Sequence, residues 1–188
     1  MTMAVSQPSA RVRSQDTDGW LDYRRLHVHE EVGRGAFGAV FRATLDGCEE
    51  VVVKQLHVMD EAAVSQLVKE ASIMWNIAPH PNVVAYVGFC VEPACLVSEF
   101  MPDGCLLDFL CERGDEVDTA WAAAWASDVA RGLAHLHDNS ILHNDLAARN
   151  LLLASGVVKI SDFGLSRRAE HYYYGVKQAE FPIRWIGP

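Results

Sequence analysis

No apolar run in this 188-residue chain approaches the ~18 residues that a membrane-spanning helix requires, so no membrane segment is expected. Basic charge is scarce: 16 Lys and Arg stand against 25 Asp and Glu, a net charge of −9. Duplex nucleic acid calls for a clustered basic face, so nucleic acid is not expected as a partner. Cysteine is present but unorganised. Cys48, Cys90, Cys95, Cys105 and Cys111 are odd in number and contain no Cys-x-x-Cys pair. They read as reduced, partly buried thiols, and the expected location is cytoplasmic. Internal repeats are missing. Residues 1–19 carry Pro, Ser, Gln and Arg without a hydrophobic segment, which excludes a signal peptide there and predicts a flexible tail.

Half of the residues are hydrophobic, enough for a sizeable core in one ordinary domain or two small lobes. Strands are predicted over residues 27–32, 39–44 and 50–56, the latter two joined by a tight Asp46-Gly47 turn. Residues 60–77 read as a helix. Val64, Leu67, Val68, Ala71, Met74 and Ile77 recur at helical spacing, and Asp60 is placed as its N-cap. Pro79 and Pro81 end it. Further strands are predicted over 83–89 and 94–100. Met101-Pro102-Asp103-Gly104 has linker composition, and beyond it helices take over at 106–111 and 119–138. The second has Trp121, Trp125, Val129 and Leu136 on its apolar side. Short strands follow around a Ser155-Gly156 turn. Sheet first and helix afterwards makes the fold class α+β.

Gly33-x-Gly35-x-x-Gly38 sits between strands, not before a helix, which disfavours a dinucleotide site of the Rossmann kind. What remains is a glycine hairpin folding over phosphates, with backbone amides close to the anionic oxygens and Phe37 at the tip. Lys54 ends the run Val51-Val52-Val53, and Glu70 lies on the edge of the helix's apolar face. Turned inward, each would satisfy the other and leave the ammonium aimed at a phosphate. Downstream, His143-Asn144-Asp145-Leu146-Ala147-Ala148-Arg149-Asn150 holds polar groups between two apolar runs, and Ser161-Asp162-Phe163-Gly164 follows a third. An Asp, an Asn and a second Asp offer oxygen ligands suited to a hard cation.

Taken together and in this order, these segments resemble the parts of a protein kinase domain. The resemblance runs from about Leu26 to Pro188. It implies a bilobal fold with an N-terminal antiparallel sheet plus one helix (residues 20–100). A hinge and a partial helical C-terminal lobe follow (101–188). Gly33, Arg34, Gly35, Ala36, Phe37 and Gly38 would form the glycine-rich loop. Val40, Val52 and Leu152 would sandwich adenine, with Ser98 as gatekeeper and the backbones of Glu99 and Met101 bonding the base. Met74, His143 and Phe163, together with Tyr86, would stack as a regulatory spine. The implied substrates are ATP and a protein. Lys54, steadied by Glu70, would position the phosphates. Asn150 and Asp162 would hold Mg2+, with Mn2+ as an alternative, and Asp145 would orient the acceptor hydroxyl. Ala147 and Arg149, with Phe181-Pro182-Ile183-Arg184-Trp185, resemble tyrosine kinases more than serine/threonine kinases, and Arg149 would neutralise charge on the transferred phosphate. Tyr172, Tyr173 and Tyr174 are candidate autophosphorylation sites in the activation loop.

The chain departs from the family in three places. Asn144 stands where an Arg normally precedes the catalytic Asp, so the usual contact to a phosphorylated activation loop cannot form there, and Arg167 or Arg168 is left to supply it. Val52 replaces the usual Ala above adenine. The family continues with further helices past Pro188, so the resemblance also implies an incomplete C-terminal lobe, exposed apolar area and poor stability in isolation. The alternative function is accordingly a catalytically impaired, pseudokinase-like ATP-binding or scaffold fragment.

Overall fold

A computed structural model describes residues 19–35 and 38–169. Ala36 and Phe37, Tyr172 to Tyr174, and the segment from Phe181 to Trp185 lie outside the described residues, as does the tail up to residue 18.

The first part is a five-stranded antiparallel sheet. Its strands are β1 (Leu26–Arg34), β2 (Gly38–Leu45), β3 (Glu49–Leu56), β4 (Tyr86–Cys90) and β5 (Cys95–Glu99). They lie in the order β1-β2-β3-β5-β4. Asp46 and Gly47 adopt positive φ in the β2–β3 turn, as a tight hairpin requires. Alternation along β3 sends Val51 and Val53 into a core with Ala43, Leu45, Cys90, Cys95 and Val97. Val52 and Lys54 therefore face the other way. Helix α1 (Glu61–Asn76) covers that other face, and Asp60 Oδ1 accepts from the Ala63 amide at 2.7 Å as its N-cap. Its inward residues are Leu67, Glu70, Ala71 and Met74. Val68, expected on the apolar stripe, is exposed, because it lies one residue (about 100°) round the helix from Leu67.

Helices α2 (Leu106–Arg113) and α3 (Thr119–Asp138) dominate the second part. Among the described residues four short strands join them: β6 (Ile141–Leu142), β7 (Leu151–Ala154), β8 (Val157–Ile160) and β9 (Arg167–Arg168). β7 pairs with β8, and β6 with β9. Trp125 and Leu136 are buried on α3 as expected, but Trp121 is exposed, touching only the edges of a ring cluster with Phe109 and Trp125. One core joins both parts, running from Leu67 and Met74 through Val83 and Phe89 to Leu136, Ile160 and Phe163.

Two boundaries differ from the sequence reading. Residues 83–85 are not in the sheet: Val83 bridges Ile160, and the Val84 amide donates to Ile160 O at 2.9 Å. Buried Asn82 enforces this. Its side-chain amide donates to Val158 O at 3.0 Å and its carbonyl accepts from the Ile160 amide at 3.0 Å. Gly19, assigned to the tail, belongs to the fold. Its carbonyl accepts from Tyr86 Oη at 2.7 Å and from the Phe89 amide at 3.1 Å.

Candidate active site

Strand register gathers the first group. In the antiparallel sheet Val40 pairs with Lys54, and Val52 pairs with Ser98. Paired residues point to the same side, so Val40, Val52, Lys54 and Ser98 share one face, all half-buried. Gly33 pairs with Val40, and the Gly35 amide donates to Gly38 O at 2.9 Å, which closes the glycine turn above that face. A Cβ at Gly38 would lie 2.1 Å from Gln55 O, so only glycine allows β2 to approach β3 there. Arg34 points away, paired with Glu31 at 2.6 Å. Leu152 is half-buried in β7 and bridges Cys105, below the linker that starts at buried Met101.

Onto the same face α1 delivers Glu70. Both its carboxylate oxygens accept from Lys54 Nζ at 2.9 Å. Asp162 comes from the end of β8, with φ 61°, and its carboxylate lies 3.5 Å from the same ammonium. Burial pulls the Lys54 ammonium down, but Glu70 and Asp162 outweigh it and hold it above its ordinary value. Burial pushes the Glu70 carboxyl up, against the pull of Lys54.

The second group centres on Asp145. Asp145, almost fully buried, accepts at Oδ1 from Arg149 Nη2 at 2.6 Å and at Oδ2 from Asn150 Nδ2 at 2.9 Å. Asn150 Nδ2 also donates to Asp145 O at 2.8 Å. The amide nitrogen is thus committed to Asp145, which turns Asn150 Oδ1 the opposite way. His143 anchors the loop from beneath. Its Nε2 bonds Ser161 O at 2.9 Å, and its Nδ1 accepts from the Asp145 amide at 3.3 Å. The carbonyl partner makes Nε2 the protonated nitrogen. Burial holds the ring below its ordinary pKa, so it is neutral at pH 7. The His143 and Phe163 rings meet edge to face at 5.3 Å, and Met74 is buried in the same core. Tyr86 reaches that core too, while its ring abuts Trp75 at 5.7 Å and its hydroxyl holds Gly19.

Oxygen donors at Asn150 and Asp162 suit a hard cation. Among the described residues no group of three or more His, Cys, Asp or Glu side chains is arranged to hold a metal. A cation here would therefore take most of its ligands from phosphates and water, the habit of Mg2+ rather than of a caged structural ion.

A glycine turn over a sheet face, a Lys–Glu pair facing an Asp, and an Asp–Arg–Asn loop beside them form one constellation. Residues 26–188 match the family described as protein tyrosine and serine/threonine kinase. The chain belongs to this kinase family. It is 35% identical over 174 residues to the tyrosine-protein kinase TXK of Mus musculus, covering 89% of this chain and 32% of TXK. It is 34% identical over 175 residues to the tyrosine-protein kinase Fer of Rattus norvegicus, covering 89% of this chain and 21% of Fer. The tyrosine-protein kinase SRK3 of Spongilla lacustris is 32% identical over 200 residues, which takes in 100% of this chain and 59% of SRK3. The chain thus spans about a third or less of TXK and Fer. The kinase-like α+β fold is the one observed.

Within this kinase chain, sequence reasoning missed a clamp at the end of β5. Glu99 accepts from Lys159 Nζ at 2.7 and 2.8 Å and from the Ala85 amide at 2.6 Å. The Glu99 amide donates to Ala85 O at 3.0 Å. Its side chain thereby ties the sheet to β8, four residues before Phe163. The available signal was Lys159, a charge inside the apolar run from Val157 to Ile160. Asn144 has φ 63° and donates from Nδ2 to Leu165 O at 3.2 Å, so it holds the segment that follows Gly164.

Proposed function

We propose that this chain is the ATP-binding and catalytic part of a protein-tyrosine kinase, transferring the γ-phosphate of ATP to tyrosine hydroxyls of proteins. The observation that carries the reading is the pair of bonds on Asp145. Arg149 and Asn150 fix both carboxylate oxygens, so the group would be held in a single orientation for an acceptor hydroxyl. A phenol is acidic enough to need little base strength, and alignment is what Asp145 supplies. The adenine would lie between Val40 and Val52 above and Leu152 below, near Ser98, with the backbones of Glu99 and Met101 at its edge. Gly33, Arg34, Gly35, Ala36, Phe37 and Gly38 would cover the phosphates. Lys54, oriented by Glu70, would meet the non-transferred phosphates. Asn150 and Asp162 would hold Mg2+, which offsets phosphate charge when bound. Arg149, bonded to Asp145, would offset charge on the transferred group. The names of the relatives, all tyrosine-protein kinases, support the choice of acceptor.

The test is radiolabelled ATP with a poly-Glu-Tyr substrate, comparing the wild type with Asp145→Asn. Transfer to tyrosine is expected from the wild type and a loss of at least about 100-fold from the variant. Equal signal from both, or no label on tyrosine from the wild type, overturns the reading.

A further inference from the structure

Cys90 and Cys95 play no part in the reading above. They end β4 and begin β5, and they are direct register partners in that antiparallel pair. Both are fully buried in one core cluster with Val51, Val53, Val97 and Leu21. Their neighbours Phe89 and Leu96, also register partners, lie in the opposite core. The two thiols therefore project from the same face. Register partners in an antiparallel pair have Cα atoms about 4.5 or 5.5 Å apart, and a disulfide accepts about 4.4 to 6.8 Å. No backbone movement is needed to join them.

We propose that Cys90 and Cys95 form a peroxide-oxidisable dithiol, a modification site that closes into an intramolecular disulfide across the β4–β5 hairpin. The Cys90 thiolate attacks a peroxide oxygen and the O–O bond breaks. This leaves a sulfenic acid on Cys90 and hydroxide, which takes up a proton. The Cys95 sulfur then attacks the Cys90 sulfur, the S–O bond breaks, and the oxygen leaves as water with the Cys95 proton. Two thiols and one hydrogen peroxide give one disulfide and two waters. A hydrogen bond from the Cys95 thiol, opposed by burial, keeps Cys90 below its ordinary pKa and makes it the attacking sulfur; the same bond raises Cys95.

Access comes through a local opening. β4 is an edge strand of the sheet, and from the segment Gly19 to Leu21 it is Leu21 that packs into this core. That segment is held to β4 by the Leu21 amide on Phe89 O at 2.8 Å and by the bonds to the Gly19 carbonyl. Leu21 packs on Gly88, where an added Cβ would come within 2.9 Å of the leucine. A short segment held, among the described residues, by a handful of bonds opens more often than the whole fold. The site thus reports release of the N-terminal segment, and it sits on the strand whose other end carries Ser98 and Glu99.

The test treats the full 188-residue chain with hydrogen peroxide under native conditions, alkylates remaining thiols and maps peptides by mass. A Cys90–Cys95 link, seen as loss of two hydrogens and absent in Cys90→Ala, is expected. Linking should speed up roughly tenfold in Leu21→Ala and by a smaller factor in Trp20→Ala, whose exposed ring only edges Phe89. If Cys90 and Cys95 remain alkylatable while exposed Cys48 and Cys111 oxidise, the proposal fails. It fails equally if the link appears only in urea, or forms at an unchanged rate in both cover variants.

Discussion

Replacing Lys54 by Met isolates the energetics of the buried pair. The Glu70 side chain is 5% exposed and the Lys54 side chain 25% exposed. Removing the ammonium leaves a buried carboxylate whose remaining charged neighbour among the described residues, Asp162, is of like sign. Breaking a buried pair from one side costs about 3 kcal/mol. With a urea slope of about 2 kcal/mol per M, the unfolding midpoint should fall by roughly 1.5 M at pH 8. The sign of the pH dependence follows from Glu70. Its folded pKa is raised, so the folded state binds the proton more tightly than the unfolded chain. Without Lys54 to oppose it, acidification from pH 8 towards the ordinary carboxylate value neutralises Glu70 in the folded state and recovers stability. The gap between variant and wild type should therefore narrow at pH 5.5. Glu70→Gln should cost less, about 1 to 2 kcal/mol, because Lys54 keeps Asp162 and partial contact with water. Urea titrations at both pH values decide it. A Lys54→Met gap below about 1 kcal/mol at pH 8, or one that does not change with pH, refutes the account.

Three further outcomes follow from the same geometry. Val52→Ala removes two methyl groups that narrow the face beside Ser98 and should tighten nucleotide binding about two- to fivefold in a displacement assay; weaker binding contradicts this. Neutral His143 has a lowered folded pKa, so the unfolded chain takes the proton first. The stability this contributes is present above about pH 6.5 and is lost as pH falls through the folded value, and His143→Phe should flatten that part of the acid slope; an unchanged slope in urea midpoints sinks it. Asn144→Ala loses the bond to Leu165 O and keeps a positive φ that alanine resists, whereas Asn144→Gly loses only the bond. Alanine should be the worse by about 1 kcal/mol, and equal stabilities would show that the backbone is not held there.

Much of the fold was legible because its signals are local. The period of residues 60–77 and the Asp60 cap fixed α1 to within a residue, and α3 runs over Thr119–Asp138 as predicted. The pairing of Lys54 with Glu70 could be anticipated because two charges at the edge of apolar runs must find each other if both turn inward. The parts that escaped depend on contacts far apart in the chain. Residues 83–85 look like strand by composition, but Asn82 binds Val158 and Ile160, 76 residues away for the side-chain bond, and pulls them out of the sheet. Glu99 and Lys159 are separated by 60 residues, and neither alone announces the other. Trp121 and Val68 satisfy helical spacing yet sit in the open, since spacing identifies a stripe but not how wide the covering surface is.

The same long-range bonds explain why the Asp145 loop holds its shape. A loop rich in polar groups between apolar strands would lose its geometry if its backbone were free to exchange partners. Here the exchange is blocked from both ends. Ser161 donates from its amide and its hydroxyl to Asn150 O, at 2.9 Å each. Ser166 Oγ donates to His143 O at 3.1 Å, and His143 reaches back to Ser161 O. These partners are buried, so each broken bond would strand a polar group away from water at about 1 to 3 kcal/mol. The segment carrying Asp162 and the loop carrying Asp145 are therefore one bonded unit. Displacing either moves both, and the Asp145 carboxylate and the Asp162 carboxylate that faces Lys54 keep their spacing because Ser161 and His143 join them.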